Sequence, residues 1–284
     1  MRQTVTSDVS MIDRALQSWR DGLNHPMKLR LHYQAVKRLR GNLALTSTAL
    51  GDFVVDQTDY IGRELIGRKT YEPETISLCC KILANGGTFF DVGANLGLYT
   101  VALSNNENVE VHSFEPDFTN YQFLLRNVSL NARRNVKTYN FALSSTPGLI
   151  DIHLPCATNR GSVRIANGRD AEAAVVATST VDAVMRHASI PRLDLMKIDV
   201  EGHELEVLRG ATLSGDASPK HIIVECWGSS DGGGSRPLKD TELFALLIGH
   251  GYRCRTIDGQ EIGDRVDMPE FNAWFTRDHT SNDL

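Results

Sequence analysis

Phe89-Phe90-Asp91-Val92-Gly93-Ala94-Asn95-Leu96-Gly97-Leu98-Tyr99-Thr100 reads as the end of a buried strand, a tight turn and the start of a helix. The apolar run before Asp91 suits a strand covered on both faces. Gly93 and Gly97 let the backbone come close to a ligand, and a helix N-terminus offers free N–H groups to it. The pattern is G-x-N-x-G. A dinucleotide fingerprint needs glycine where Asn95 stands, so that a pyrophosphate can approach. A nucleoside without a pyrophosphate suits this turn better. A second strand ends in Ser113-Phe114-Glu115-Pro116. An acid at that tip, roughly 20 residues past the glycine turn, is placed to hold ribose hydroxyls. Two adjacent hydroxyls are donors, and a carboxylate has two acceptor oxygens.

Working outward, the chain alternates. A helix opens at Glu72-Pro73-Glu74 and runs to about Ala84, followed by the strand Thr88–Val92. Helix Leu98–Ser104, strand Val109–Phe114, helix Asp117–Asn131 and strand Val136–Leu143 come next. This β-α-β-α-β order predicts a parallel sheet with helices on both faces. Residues 147–178 break the rhythm with short β-prone pieces at Ile150–Leu154, Ser162–Ile165 and Ala173–Ala177, an expected antiparallel excursion. The alternation then resumes with helix Thr180–His187, strand Asp194–Val200, helix Leu205–Gly210 and strand His221–Cys226. Helix Leu238–Gly249 and strands Tyr252–Ile257 and Phe271–Thr276 close it. Residues 228–237, rich in Gly and Ser, read as a flexible loop over the ligand edge of the sheet.

The 284 residues are 41% hydrophobic and 23% charged, which excludes a disordered, collagen-like or coiled-coil chain. The sequence has no apolar run of about 18 residues and no signal-peptide core at its start, so a cytoplasmic protein without a transmembrane segment is expected. A net charge of −5 gives no footprint for a nucleic-acid partner. Cysteines 79, 80, 156, 226 and 254 form no C-x-x-C, which disfavours zinc and a disulfide framework. Residues 1–45 hold eight basic and three acidic side chains, and Leu29, Tyr33 and Val36 recur at helical spacing before Gly41. Residues 1–70 therefore read as an N-terminal helical or cap segment, a candidate homodimer arm, ahead of a main domain at 71–284.

Two tempting motifs fail. Gly62 to Thr70 nearly matches a P-loop, but Arg68 shifts Lys69 out of place. His203-Glu204 begins H-E-x-x-H, but Val207 stands at the last position.

DVGANLGLYT (91–100), SFEPD (113–117), NFALSS (140–145), LDLMKIDVEGHELEVLRGA (193–211) and HIIVECW (221–227) together resemble the FkbM family of S-adenosylmethionine-dependent methyltransferases. The resemblance covers about residues 50–276. It implies the α/β, class I (Rossmann-like) methyltransferase fold: a seven-stranded, mostly parallel sheet with one reversed strand. It further implies O-methylation, with a sugar, glycan or glycosylated natural product as acceptor. By the resemblance, Asp91, Gly93, Asn95 and Gly97 would line the methionine part of S-adenosyl-L-methionine, and Glu115 would hold the ribose. Asn120 would assist from the next helix, Ala142 and Leu143 would sit by the adenine, and Asp199 would stand beside the methyl donor.

An alcohol is a weak nucleophile at neutral pH, so a base beside it is expected. Asp199, Glu201 and His203 crowd the carboxyl edge after the Asp194–Val200 strand, with Lys197, Asp199 and Glu201 on one side by the period of two. His203 suits a base near neutrality, and it equally suits a solvated helix-start histidine. Glu204 reads as a first-turn acid favoured by the helix dipole. Asp199 and Glu225, at the ends of neighbouring strands, could bind Mg²⁺. With no third ligand in view, a metal-free site is expected. Two competing readings are an NAD-dependent oxidoreductase, opposed by Asn95, and a degenerate nucleoside-binding protein, opposed by the intact Asp91, Glu115 and Asp199.

Overall fold

The computed structural model describes residues 42–153, 164–165, 173–227, 238, 241–262 and 270–277. The expected helix before Gly41, the candidate dimer arm and the 228–237 loop lie outside them.

Seven strands form the main sheet in the order β12(Arg253–Thr256)-β13(Glu270–Thr276)-β11(His221–Trp227)-β10(Leu195–Ile198)-β3(Gly87–Val92)-β4(Val109–Phe114)-β5(Val136–Tyr139). Six strands run one way. β13 alone is reversed, antiparallel to both β11 and β12. This is the mostly parallel seven-stranded sheet expected of the fold. The register aligns Phe89 with Leu195 and Val111, and Asp91 with Lys197 and Ser113. The strands bearing the glycine turn, Glu115, Asp199 and Glu225 therefore reach one edge together.

The period of two sends neighbouring residues to opposite faces. Phe90, Val92, Phe114, Met196, Ile198 and Val224 pack under helices α5(Val181–His187), α6(Glu204–Arg209) and α7(Glu242–Gly249). Phe89, Val111, Leu195 and Ile223 pack on the other face with α2(Pro73–Ile82) and α3(Leu98–Leu103). Side-chain caps set several helix starts. Asp117 accepts from Asn120 N ahead of α4(Phe118–Leu130), Thr180 from Ala183 N, and Thr241 from Phe244 N. The Thr241 cap places the start of α7 at Glu242 rather than Leu238.

Two expectations are corrected. The strand expected over Val136–Leu143 is broken. The Asn140 side-chain amide donates to the carbonyls of Glu115 (2.8 Å) and Pro116 (3.1 Å), which turns the chain out of the main sheet after Tyr139. Ala142–Leu143 (β6) joins a second sheet of order β6-β9-β7-β8, with β7 Gly148–His153, β8 Arg164–Ile165 and β9 Ala173–Ser179. β7 pairs antiparallel with β8 and β9, as expected for the excursion.

The described part of the N-terminal segment is not simply helical. Strands β1(Leu43–Ser47) and β2(Asp52–Asp56) form an antiparallel hairpin, followed by helix α1(Tyr60–Arg68). The near-P-loop residues fall largely in α1. A Cβ at Gly62 would lie 2.0 Å from Asp56 O, so this glycine serves close packing of helix on hairpin. Phe53, Val55 and Leu65 are fully buried in the same core as Phe89 and Val101. Two asparagines, Asn127 of α4 and Asn131 at its C-cap, stand in for a strand partner. Asn127 Oδ1 accepts from Val54 N at 2.7 Å, and its Nδ2 donates to Val54 O and to Leu96 O at 2.8 Å. Asn131 accepts from Asp52 N and donates to Asp52 O at 2.7 Å. Asn127 thereby ties the hairpin to the glycine turn. No helix among the described residues is long and apolar enough to cross a membrane.

Candidate active site

The carboxyl ends of β3, β4, β10 and β11 open into one cavity of about 380 Å³. Its lining includes Gly93, Asn95, Glu115, Asn120, Ala142, Leu143, Asp199, Glu201, His203 and Glu225. Ten expected site residues, from five separate stretches of sequence, are thus brought to one place. Asp91 and Gly97 do not line it. Asp91 is buried in β3, where Thr100 Oγ1 donates to its Oδ2 at 2.6 Å, and burial, opposed by that bond, pushes its carboxyl up to about 6. Gly97 caps α3 with φ +90° against Leu124.

The glycine turn is built for close approach. Gly93 has φ +84°, and a Cβ there would sit 1.8 Å from Asp199 O. Gly93 N and Ala94 N both donate to Phe114 O, fastening the turn to the tip of β4. Asn95 also takes a positive φ (+50°), which asparagine tolerates better than most residues. That conformation aims its N–H at Glu115 Oε2, at 2.8 Å. Asp117 N donates to Glu115 Oε1 at 2.9 Å. Each carboxyl oxygen is held by one backbone N–H, and in the ionised form each keeps a lone pair for a further donor. Glu115 is 3% exposed, and burial, opposed by those two bonds, pushes it up to about 8.

The other wall is the turn between β10 and α6. The expected alternation of Lys197, Asp199 and Glu201 ends early, because β10 stops at Ile198 and the chain turns through Glu201 (φ +54°) and Gly202 (φ +98°). Glu204, the first residue of α6, accepts from Gly202 N at 2.9 Å and so braces this turn. His203 sits at the N-cap of α6, with Nε2 3.0 Å from Ser144 Oγ. Burial lowers the pKa of His203 below its ordinary 6.5, leaving a neutral imidazole at pH 7.

Beneath lies a charged group that the sequence only partly disclosed. Lys197 Nζ is 3.1 Å from Asp199 Oδ2 and 5.2 Å from the centroid of the Tyr99 ring. Burial pushes the Asp199 carboxyl up, but Lys197 and a hydrogen bond from Glu225 outweigh it and hold it below the usual carboxylate range. Burial and the neighbouring Asp199 charge push Glu225 up to about 10, so Glu225 carries the proton the two share at neutral pH. Glu72, at the N-cap of α2, brings in a third carboxylate from a strained φ of +47°. It accepts from the Tyr99 hydroxyl and, at 3.3 Å, from Asn272 Nδ2. Oxygens of Glu72, Asp199 and Glu225 lie within 4.8 Å of one another. The expectation of a metal-free site rested on the lack of a third ligand, and Glu72 corrects that premise. The N-terminal segment also contributes Tyr60, Ile61 and Tyr71 to the lining, and the second sheet contributes Ile152. Tyr60 and Tyr71 meet edge to face at 6.2 Å. Position in the sequence gave no signal for Glu72.

A family model described as the methyltransferase FkbM domain matches residues 91–254, more than half of the chain. The hexuronic acid methyltransferase AglP of Haloferax volcanii is 30% identical over 161 residues, 56% of this chain and 64% of the relative. The chain thus spans a little under two thirds of that protein's length. Methyltransferase sdnD of Sordaria araneosa is 28% identical over 209 residues, 63% of this chain and 78% of the relative. Among solved structures, a precorrin-6y C5,15-methyltransferase from Geobacter metallireducens aligns with a TM-score of 0.43 and 12% identity, covering 73% of this chain and 89% of that one.

Proposed function

The chain belongs to the FkbM methyltransferase family, and from that premise we propose that it transfers a methyl group from S-adenosylmethionine to a hydroxyl of a sugar, glycan or glycosylated natural product. The observation that carries the reading is Glu115. Its buried carboxyl is pinned by two backbone N–H groups at the tip of β4, and it shares one cavity with the Gly93–Asn95 turn and with His203.

The residues fit this methyl donor. Gly93 presents bare backbone where any side chain would collide with Asp199 O. Once ionised, Glu115 has acceptor capacity for two ribose hydroxyls, and Asn120, Ala142 and Leu143 line the same cavity for the base. When bound, the donor supplies an electrophilic methyl on a sulfonium. The protein's tasks are to align the acceptor oxygen and to take its proton. His203 is neutral at pH 7, so its free nitrogen can receive that proton, and Ser144 Oγ at 3.0 Å fixes the ring. Asp199 and Glu201 face the same space and orient the acceptor hydroxyl by accepting from it. Alignment of this kind is worth about 7–11 kcal/mol at best, and a positioned base about 10²–10⁴-fold. The hexuronic acid acceptor in the name of the archaeal relative supports a sugar-type acceptor. Labelled S-adenosylmethionine, incubated with the protein and a panel of free and conjugated sugars, tests the reading. Label on a sugar oxygen is expected. Label only on nitrogen or carbon, or none on any acceptor, would refute it.

A further inference from the structure

The methyl-transfer reading leaves one buried group beneath the cavity unused. Lys197 is 1% exposed, in the second half of β10, side by side with Asp91 of β3 and Ile223 of β11. A lysine is almost never buried this completely unless paired. It donates to Asp199 Oδ2, at 3.1 Å, and the Tyr99 ring flanks it at 5.2 Å. Burial opposes its charge, but the neighbouring Asp199 and Glu72 carboxylates outweigh that and hold it as an ammonium. One compact cation therefore stands among three carboxyl groups drawn from α2, the end of β10 and β11.

Three carboxyl groups within 4.8 Å of one another are the kind of oxygen cluster that a small divalent cation fills. Here a cation is already built in, delivered by a rigid central strand. Lysine suits the role because it is a compact point charge rather than a broad planar fork. Asp199, one third exposed, reaches both Lys197 and the cavity.

We propose that Lys197 is a positioning residue for methyl transfer: its ammonium is the resident cation of the Glu72–Asp199–Glu225 cluster and fixes Asp199 at the cavity wall, in the role a divalent metal would otherwise fill. The proposal rests on the reading that methyl transfer takes place in this cavity. Two consequences follow. The wild-type protein takes up no divalent ion at this cluster. Removing the ammonium leaves the carboxyl groups without their counter-charge, so Asp199 loses its fixed position and the cluster gains affinity for a metal.

The test uses Mn²⁺ alone as probe, titrated by electron paramagnetic resonance into the full chain as wild type, Glu225→Gln, Lys197→Met and Lys197→Met/Glu225→Gln. The wild type is expected to show no Mn²⁺ site that Glu225→Gln removes. Lys197→Met is expected to bind Mn²⁺ more tightly by about tenfold or more, and the added Glu225→Gln to cancel that gain. Turnover of Lys197→Met on the acceptor should fall by about 100-fold, a loss typical of a misplaced group. Its affinity for S-adenosylhomocysteine should stay within about threefold, while Lys197→Arg recovers part of the turnover. A wild-type Mn²⁺ site that Glu225→Gln abolishes overturns the proposal, and this arm needs no Lys197 variant to fold. A folded Lys197→Met protein with wild-type turnover, or with unchanged Mn²⁺ affinity, also overturns it. If the wild type methylates no acceptor, the functional reading fails separately, and the Mn²⁺ arms still decide which cation the cluster holds.

Discussion

The substitution Glu115→Gln should change the sign of its effect on stability with pH. The carboxyl moves from an ordinary 4.5 to about 8 in the folded chain, because burial outweighs its two backbone hydrogen bonds. A raised carboxyl pKa means that the folded state keeps a proton the unfolded state has released. Its contribution to stability is therefore fully present below 4.5 and is lost as the pH rises through 8. At about 1.4 kcal/mol per unit, the loss between pH 5 and pH 9 comes to about 4 kcal/mol. The amide of the variant would lack this term. It would instead set its NH₂ group against one of the N–H donors of Asn95 and Asp117, at a cost of about 1–3 kcal/mol at any pH. The variant should thus be less stable than wild type at pH 5 and more stable at pH 9. Urea unfolding of both proteins at pH 5, 7 and 9 measures the difference directly. Because the other titrating groups are common to both chains, the change in ΔΔG isolates this one. A ΔΔG that stays level across the series would show that Glu115 is not buried as described. In the same variant, S-adenosylmethionine should bind more weakly at pH 9, where wild-type Glu115 is ionised and offers charged acceptors to the ribose.

His203→Ala should lower kcat by about 10²-fold or more, with S-adenosylmethionine affinity unchanged by calorimetry. Wild-type kcat should decline as the pH falls through a value below 6.5, and a profile without that limb would remove His203 as the base. Gly93→Ala would force a Cβ to 1.8 Å from Asp199 O at φ +84°. It should cost about 3 kcal/mol or more in urea unfolding, and a loss under about 1 kcal/mol would contradict the close approach. A chain starting at Tyr71 would lose Phe53, Val55 and Leu65 from the core, each worth about 1.5–3 kcal/mol of burial. That is most of a typical domain's stability, so no cooperative transition is expected on denaturation, and a wild-type one would make residues 42–70 a separable cap.

Local chemistry made much of this molecule legible. The apolar runs around Phe89, Val111 and Ile223, and the cap residues Asp117 and Thr180, specify their elements without help from distant contacts. Gly93 and Glu115 could be paired because the β-α-β unit fixes where two strand tips meet. Three features depended on tertiary contacts that no local pattern encodes. Asn140 ends β5 only because the Glu115 and Pro116 carbonyls lie within its reach. The β1–β2 hairpin is stabilised by Asn127 and Asn131, more than 70 residues on. Glu72 reads as a helix-start acid, and only the packing of α2 against α3 and β13 carries its carboxylate to Tyr99, Asn272 and the Lys197 cluster.

The charge of the cavity bears on turnover as well as on binding. Its described lining carries Glu115, Asp199, Glu201 and Glu225, and no Lys or Arg among the described residues. The buried Lys197 offsets the Asp199 charge from below, and Glu115 and Glu225 each hold a proton at neutral pH. The balance facing the ligand stays acidic. A sulfonium donor gains from that field, while the neutral thioether left after transfer does not, and a partly buried site screens the difference less than bulk water would. The reaction therefore discharges the electrostatic part of the interaction with the donor. Had Lys197 pointed into the cavity, the same cation would have opposed the sulfonium. Placed under Asp199, it orders a carboxylate without reversing the sign of the surface that the methyl donor meets.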